Sequence, residues 1–495
     1  MANQENNESA VGMNDQMIIR REKMDALRQQ GIDPFGHSFK RTNFSNEITD
    51  NFEEMEGKKV SLSGRIMSIR GHGKVSFMEL VDFKGTIQLF FKIDVIGEES
   101  FEHIKLMDIG DIIGVNGEVF RTQRGQISVR VETFEFLSKS LKPLPEKYHG
   151  LKDTELRYRQ RYVDLIMNPE VKDVFVKRSK IIRAIRNYLD GQGFMEVETP
   201  TLHGVAGGAA ARPFITHHNT LDMDLYMRIA LELHLKRLIV GGLDKVYELG
   251  RVFRNEGISI KHNPEFTMLE LYEAFSDYEG MMDLLENLVK SVCMEVLGTT
   301  TVIYQEQELD FSHWERITMV DAVKKYSGID YYAFDTAEAM VAAAQEKGIV
   351  VEGNPTKGAL LNTLFDATVE EHLIQPTIIM DYPIDISPLA KRMSEDSDFT
   401  YRFESFVVGR ELCNAFSELN DPIDQRQRFE DQAKLREEGD DEAHPLDEDY
   451  LNAMEYGLAP TGGIGIGIDR LVMLLTDSAS IRDILLFPTM RPRQD

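Results

Sequence analysis

The sequence predicts an α+β protein: a small closed β-barrel followed by a larger domain built on an antiparallel sheet with helices around it. Three observations predict this. From Val60 the hydrophobic period is two: Val60, Leu62 and Ile66 alternate with polar neighbours, as do Ile127, Val129 and Val131 with Ser128, Arg130 and Glu132. Residues 253–272 read as a strand, a polar turn held by Gly257 and Asn263-Pro264, and a returning strand from Phe266 to Tyr272. Residues 461–468 alternate glycine (463, 465, 467) with isoleucine (464, 466, 468) and lead into an apolar helix at Leu471, Val472, Leu474 and Leu475. At 495 residues the chain exceeds what one core organises, so two or three domains are expected.

Taken in order, residues 1–58 form a helical lead. Met17, Ile18, Met24 and Leu27 lie among charges, with Gly31 and Pro34 beyond, which predicts an amphipathic helix over residues 14–30. Residues 59–146 form the barrel, its short strands separated by glycine turns at 71–73, 84–85 and 124–125, and the OB-fold is its natural candidate. The strand face offers Phe77, able to stack on an unpaired base, and Gln88, able to read a base edge. Taken alone, Phe77 reads as core and Gln88 as surface. The linker Lys142-Pro143-Leu144-Pro145 closes the barrel, and the large domain occupies 147–495. There Ile181, Ile182, Ile185 and Leu189 recur at helical spacing up to Gly191 and Gly193. Between the hairpin and the glycine strand, Asp335-Thr336-Ala337-Glu338 reads as a capping box before an alanine-rich helix, and a second helix is expected over residues 357–373.

Composition narrows the class. The formal net charge is -27, yet residues 61–150 hold 12 Lys+Arg against 12 Asp+Glu, so the whole deficit lies outside the barrel. The barrel is thus the part least repelled by phosphate. The most acidic stretch, residues 437–449, reads as a solvated face or loop. Cys293 and Cys413 stand far apart, which argues for a reducing compartment. The N-terminus carries no apolar leader core, and no uncharged run approaches the roughly 20 residues that span a bilayer. A cytoplasmic enzyme with no membrane attachment is the expectation.

The hairpin and the glycine strand suit a nucleotide. Arg254 offers a planar charged fork for phosphate oxygens, His262 a second donor, and Phe266 a surface for a purine. The glycines bury one apolar face of their strand and present bare backbone on the other, and Arg470 follows at a helix N-terminus, where an anion is favoured. No Gly-Lys-Ser/Thr follows, so this is not a Walker A loop, and Ile468 occupies the place of a third dinucleotide-binding glycine.

With Gly193-Phe194-Met195-Glu196-Val197-Glu198-Thr199-Pro200, Phe253-Arg254-Asn255-Glu256 through Phe266, and Gly465-Ile466-Gly467-Ile468-Asp469-Arg470 in this order, the chain resembles the class II aminoacyl-tRNA synthetases, most closely the bacterial-type lysine-tRNA ligases. The resemblance runs from about residue 60 to the C-terminus, and it implies a helical insertion over about 319–375. It implies ATP-dependent attachment of L-lysine to tRNA(Lys), with magnesium, by a homodimer that pairs through the helix and strand ending at Pro200. It implies catalytic roles for Arg254 (α-phosphate) and Arg470 (γ-phosphate, with His262), Phe266 against adenine, and Glu256 and Asn263 on adenine or holding the loop. Gly467 and Glu411 complete the ATP set, and Glu404 and Glu411 are implied as magnesium ligands. Their odd spacing requires a bulge in an otherwise continuous strand, with Gly409 the candidate. The implied lysine set is Gly208, Glu232 for the α-amino group, Glu418 with Tyr272 for the ε-amino group, and Asn414 and Phe416, which share strand parity with Glu418. Phe77 and Gln88 match anticodon-reading positions. Two alternatives stay open here: a ligase that attaches lysine to a protein, and a non-catalytic nucleic-acid-binding relative.

Overall fold

The period-two segments become β1 (Lys59–His72), β2 (Val75–Val81), β3 (Thr86–Lys92), β4 (Ile112–Arg121) and β5 (Ile127–Ser138), closed into a barrel in the order β1-β2-β3-β5-β4. The computed structural model describes residues 14–145, 153–351, 353–437 and 445–492. Two compact units make up the chain, Met1–Lys152 and Asp153–Asp495. The boundary expected at 146/147 and residues 438–444 of the acidic stretch lie outside the described residues.

In the first unit the inward residues are those the alternation selects: Val60, Leu62, Ile66, Val129 and Val131 are all buried. Gly73 and Gly125, in the β1–β2 and β4–β5 turns, take positive φ, where a side chain would be strained. The helix Asp15–Gln29 packs differently from its apolar pattern. Leu27 is buried, but Ile18 is exposed and Arg20 is buried instead. The Arg20 guanidinium donates to the carbonyls of Ile109 and Ser140, both at 2.9 Å, so hydrogen bonding outweighs hydrophobicity on that face.

The second unit is organised by an eight-stranded sheet. Its strands in chain order are β6 (Met195–Glu196), a three-stranded ribbon β7 (Leu202–His203), β8 (Ile215–His218) and β9 (Met223–Met227), then β10 (Lys245–Phe253), β11 (Glu265–Ala274), a hairpin β12 (Thr301–Tyr304) and β13 (Gln307–Asp310), β14 (Glu315–Thr318), β15 (Thr377–Met380), β16 (Arg402–Phe406), β17 (Glu411–Ser417) and β18 (Thr461–Gly467). The large sheet runs β14-β15-β16-β17-β18-β11-β10-β6 and is antiparallel except for the parallel pairs at its two edges. Ile464, Ile466 and Ile468 enter the main core with Leu269, Leu271 and the long helices Pro169–Gly191 and Tyr278–Leu297. The opposite face of the central strands is free to build a site.

The insertion holds three helices, Met319–Ser327, Ala337–Glu346 and Lys357–Thr368, around a core of their own that includes Val323, Met340 and Leu364. The capping box expected at Asp335 is a single cap: Thr336 is the N-cap and accepts from the Ala339 amide, which puts Glu338 one position too early to reciprocate. The helix expected over residues 357–373 stops at Thr368 and yields to a 3₁₀ turn, Glu370–His372.

Candidate active site

Along the glycine face of β18 lie an open recess, lined by Gly465 and Gly467, and a second one, filled by side chains, that Gly463 backs.

The first recess is set by the β10–β11 hairpin. The Arg254 amide donates to the Pro264 carbonyl at 2.8 Å, closing the loop, and its guanidinium sits 5.2 Å from the Phe266 ring centroid. A cleft of about 140 Å³ gathers Arg254, Glu256, His262, Asn263, Phe266, Gly467 and Arg470. Asn263 has both polar ends engaged: its amide donates to the Glu265 carbonyl at 2.7 Å and its oxygen accepts from the Thr489 amide at 3.2 Å. It holds the loop. Burial, reinforced by Arg470, lowers the His262 pKa, so the imidazole is neutral at pH 7.

An adjoining cavity of about 390 Å³ brings Glu404 and Glu411 together with Arg402, Arg410 and Arg470. The two glutamates do not share one strand bulged at Gly409. The chain reverses there: Val408 and Gly409, both at positive φ, turn β16 into β17. The irregularity lies instead opposite Ser405 and Phe406, where Cys413 pairs with Ser405 but Glu411 pairs with Phe406, leaving Leu412 as the extra residue. Without it Glu411 would point away from Glu404 and Asn414, so the bulge is what places both carboxylates in one cavity. Glu404 accepts from Arg402 Nη2 at 2.6 Å and from the Tyr382 hydroxyl at 3.1 Å, and burial pushes it up to about 7. Partial desolvation would raise Glu411 as well, but the Arg470 guanidinium at 3.0 Å, with Arg254 and Arg402 nearby, outweighs it and holds the carboxyl below its usual range. Two hard-oxygen donors beside a cationic cleft fit magnesium, which takes its other ligands from water and phosphate.

The second recess is closed. Glu232 opens the helix Glu232–Val240, Tyr272 stands on β11, Phe416 on β17, and Glu418 just beyond β17; all four are buried. Asn414 accepts from Arg402 Nε at 3.0 Å. Gly208, at φ +90°, lets the loop pass Glu232: a Cβ there would come within 3.3 Å of the Glu232 Cβ. The bare backbone expected at Gly463 is covered by protein. A Cβ at this position would overlap Glu418 Oε1 and lie 2.5 Å from Tyr272 Cε1, so glycine here admits the carboxylate. Met268 covers Gly465 in the same manner.

Three further residues belong to this pocket. Glu270 accepts from the Leu231 amide at 2.9 Å and the Tyr272 hydroxyl at 3.1 Å, and burial, helped by Glu232, pushes it up to about 7. Lys236, fully buried, pairs with Glu232 at 2.5 Å and with Glu418. Tyr450 packs 5.8 Å from the Lys236 ammonium. Sequence reasoning could have found two of them: Glu270 shares parity with Tyr272, and Lys236 follows Glu232 by one helical turn.

On the barrel, Phe77 is half-buried and stands 5.0 Å from Phe90, which in turn stands 5.7 Å from Phe120. Gln88 is buried, its oxygen accepting from Ser128 at 2.8 Å and its amide nitrogen left to donate. Arg130 covers Phe120 at 4.8 Å. Strand register puts Phe77, Gln88, Phe90 and Arg130 on one face.

An antiparallel sheet with an arginine-lined cleft and a carboxylate pocket on one face, preceded by a barrel with an aromatic outer face, defines a nucleotide-using enzyme with a nucleic-acid module. Residues 153–491 match the family described as tRNA synthetases class II (D, K and N), and residues 60–137 match the OB-fold nucleic acid binding domain. The chain belongs to the class II tRNA synthetases. It is 61% identical over 483 residues to the lysine–tRNA ligase of Moorella thermoacetica, spanning 97% of this chain and 99% of that protein. Identity to the lysine–tRNA ligase of Thermoanaerobacter pseudethanolicus is 60%, over 98% and 97% of the two chains, and to that of Clostridium perfringens 56%, over the full length of both. Among the described residues no helix is long and apolar enough to cross a membrane.

Proposed function

We propose that this protein attaches L-lysine to tRNA(Lys) in the cytoplasm, through a lysyl-adenylate formed from ATP. The observation that carries the reading is the buried trio Glu232, Glu270 and Glu418 set one glycine along β18 from the arginine cleft. A substrate with two ammonium groups and one carboxylate matches a pocket rich in carboxylates set beside a cleft of cations.

In the first step the lysine carboxylate attacks the α-phosphorus of ATP and pyrophosphate leaves. Arg254 neutralises the charge that develops on the α-phosphate, Arg470 and neutral His262 hold the γ-phosphate, and Phe266 stacks on adenine with Glu256 at its edge. Glu404 and Glu411 would hold Mg2+, which neutralises phosphate charge. Glu232 takes the α-ammonium, and Glu418 with Tyr272 takes the ε-ammonium, while Asn414, Phe416 and Gly208 shape the walls. In the second step a terminal ribose hydroxyl of the tRNA attacks the adenylate carbonyl and AMP leaves. No protein nucleophile is needed, because positioning and charge neutralisation supply the rate. Phe77 and Gln88 read unpaired anticodon bases, which separates this reading from a protein-lysylating ligase.

The test is pyrophosphate exchange into ATP, screened over the standard amino acids without tRNA. Lysine should support exchange and the others should not; exchange with a different amino acid in place of lysine overturns the reading. A homodimer through the helix Pro169–Gly191 and the edge strand β6 is part of the proposal, checked by sedimentation.

A further inference from the structure

The lysine pocket contains a lysine of its own. Lys236 projects from the helix Glu232–Val240 with no exposed surface, and its ammonium lies between Glu232, on the preceding turn, and Glu418, which reaches in from the end of β17. The rings of Phe416 and Tyr450 stand 5.4 and 5.8 Å away. The groups that face it are therefore Glu232 from its own helix, Glu418 from the segment after β17 and Tyr450 from the helix Glu448–Glu455. Glu270 and Tyr272 of β11 lie behind the carboxylates. Glu418 meets Lys236 through Oε2, while its buried Oε1 has no hydrogen-bond partner and points at the backbone of Gly463.

Such an arrangement has a consequence for an incoming diammonium substrate. Buried carboxylates crowded together take up protons, and each proton must leave before an ammonium can bind. Burial alone would strip Lys236 of its own proton, but Glu232 and Glu418 more than offset that, so the side chain stays charged. Burial pushes Glu418 up and Lys236 opposes the rise.

We propose that Lys236 is a positioning residue for amino-acid recognition: a resident ammonium that pairs with Glu232, opposes protonation of Glu418 and pins it through Oε2, leaving Oε1 without a partner of its own. This rests on the pocket being the lysine site. The chemistry explains why a cation belongs in a pocket built to bind cations: it opposes the protonation that burial imposes on Glu418, at the cost of one carboxylate oxygen.

The experiment measures kcat/KM for lysine in pyrophosphate exchange from pH 6.5 to 8.5 for the native enzyme, Lys236→Met and Lys236→Arg. The variant-to-native ratio is read, since titration of the substrate cancels in it. A charge within hydrogen-bond reach moves a carboxyl by about 1–3 pH units, so Lys236→Met should lose about 100-fold at pH 6.5 and about tenfold or less at pH 8.5. The loss should fall on KM for lysine, with KM for ATP unchanged. Lys236→Arg, which keeps the charge, should give a ratio that does not vary with pH. A pH-independent loss in Lys236→Met, or one that falls equally on ATP, makes Lys236 a packing residue and overturns the proposal. If Lys236→Met does not fold, the native enzyme decides: calorimetry of lysine binding at pH 8 in two buffers of different ionisation heat should show fewer than about 0.3 protons released, and about one proton overturns the proposal. Native enzyme without lysine-dependent exchange would instead refute the assigned function.

Discussion

In the arginine-lined cleft the charged side chains keep contact with water: Arg470 and Glu411 are paired at 3.0 Å with 32% and 41% of their side chains exposed. In the carboxylate pocket, Lys236 and Glu418 are paired with none exposed. The first region can exchange one partner for another at small cost, because solvent covers whatever is left unpaired. In the proposed function an arginine there passes from a carboxylate to a phosphate as ATP arrives. Truncating one member of the second pair leaves a buried charge without a counter-ion, which costs far more than the pair contributes. One sheet face thus carries a solvated region that can re-pair its charges and a dry one that cannot.

Four measurements can break or sharpen this contrast. The largest effect is expected from Arg254→Ala, which removes a fork aimed at the charge of the transition state. Lysine-dependent exchange should fall by about 10²–10³-fold in kcat with the fold intact, and near-native exchange would take Arg254 out of the chemistry.

Glu418→Gln comes next. It keeps the shape and an acceptor but removes the charge opposite the ε-ammonium, a loss of roughly 1.5–3 kcal/mol, so kcat/KM for lysine should drop by about one to two orders of magnitude. KM for ATP should hold. An unchanged lysine term would mean that the closed pocket is not the discriminating region.

Phe77→Ala acts outside both recesses. Removing a stacking surface costs about 1–3 kcal/mol per base, so tRNA charging should weaken by roughly tenfold while exchange without tRNA is unaffected. Because Phe77 also packs on Phe90, a parallel fall in both reactions would assign it to barrel stability instead.

The smallest effect is a pH slope. Glu270 has its carboxyl pushed up to about 7 from 4.5, mainly by burial, so between those values the native state keeps a proton that the unfolded chain has released. Its contribution to stability is full below pH 4.5 and is lost as pH rises through 7. Glu270→Gln mimics the protonated form and should lack this slope. Thermal melts of ligand-free protein from pH 5 to 8 should show the variant gaining on the native enzyme as pH rises. Parallel melting curves would mean that the pocket is wetter than its burial implies.

Local order set much of what was legible in advance. Alternation over β1 and β5, the glycine–isoleucine strand and the polar turn at 254–264 are signals carried by residues close together in sequence, and each fixes a strand or a loop with the side chains it carries. Patterning also placed Asn414, Phe416 and Glu418 on one wall. It could not show that Asn263 ties the loop to a distant segment, because one of its partners is Thr489, 226 residues away.

The sequence by itself determined the two-part α+β plan, the two recesses' principal residues and the family resemblance. Only the tertiary structure decided how those residues meet. A single extra residue at Leu412 turns Glu411 toward Glu404, and no periodicity marks it, since a bulge is a choice of pairing between strands. Lys236 and Glu418 are 182 positions apart, and nothing local announces that a buried lysine answers a buried glutamate. Charge pairing of this kind depends on which surfaces lose their water together, and that is settled when β17, β18 and the helix Glu232–Val240 pack around one another.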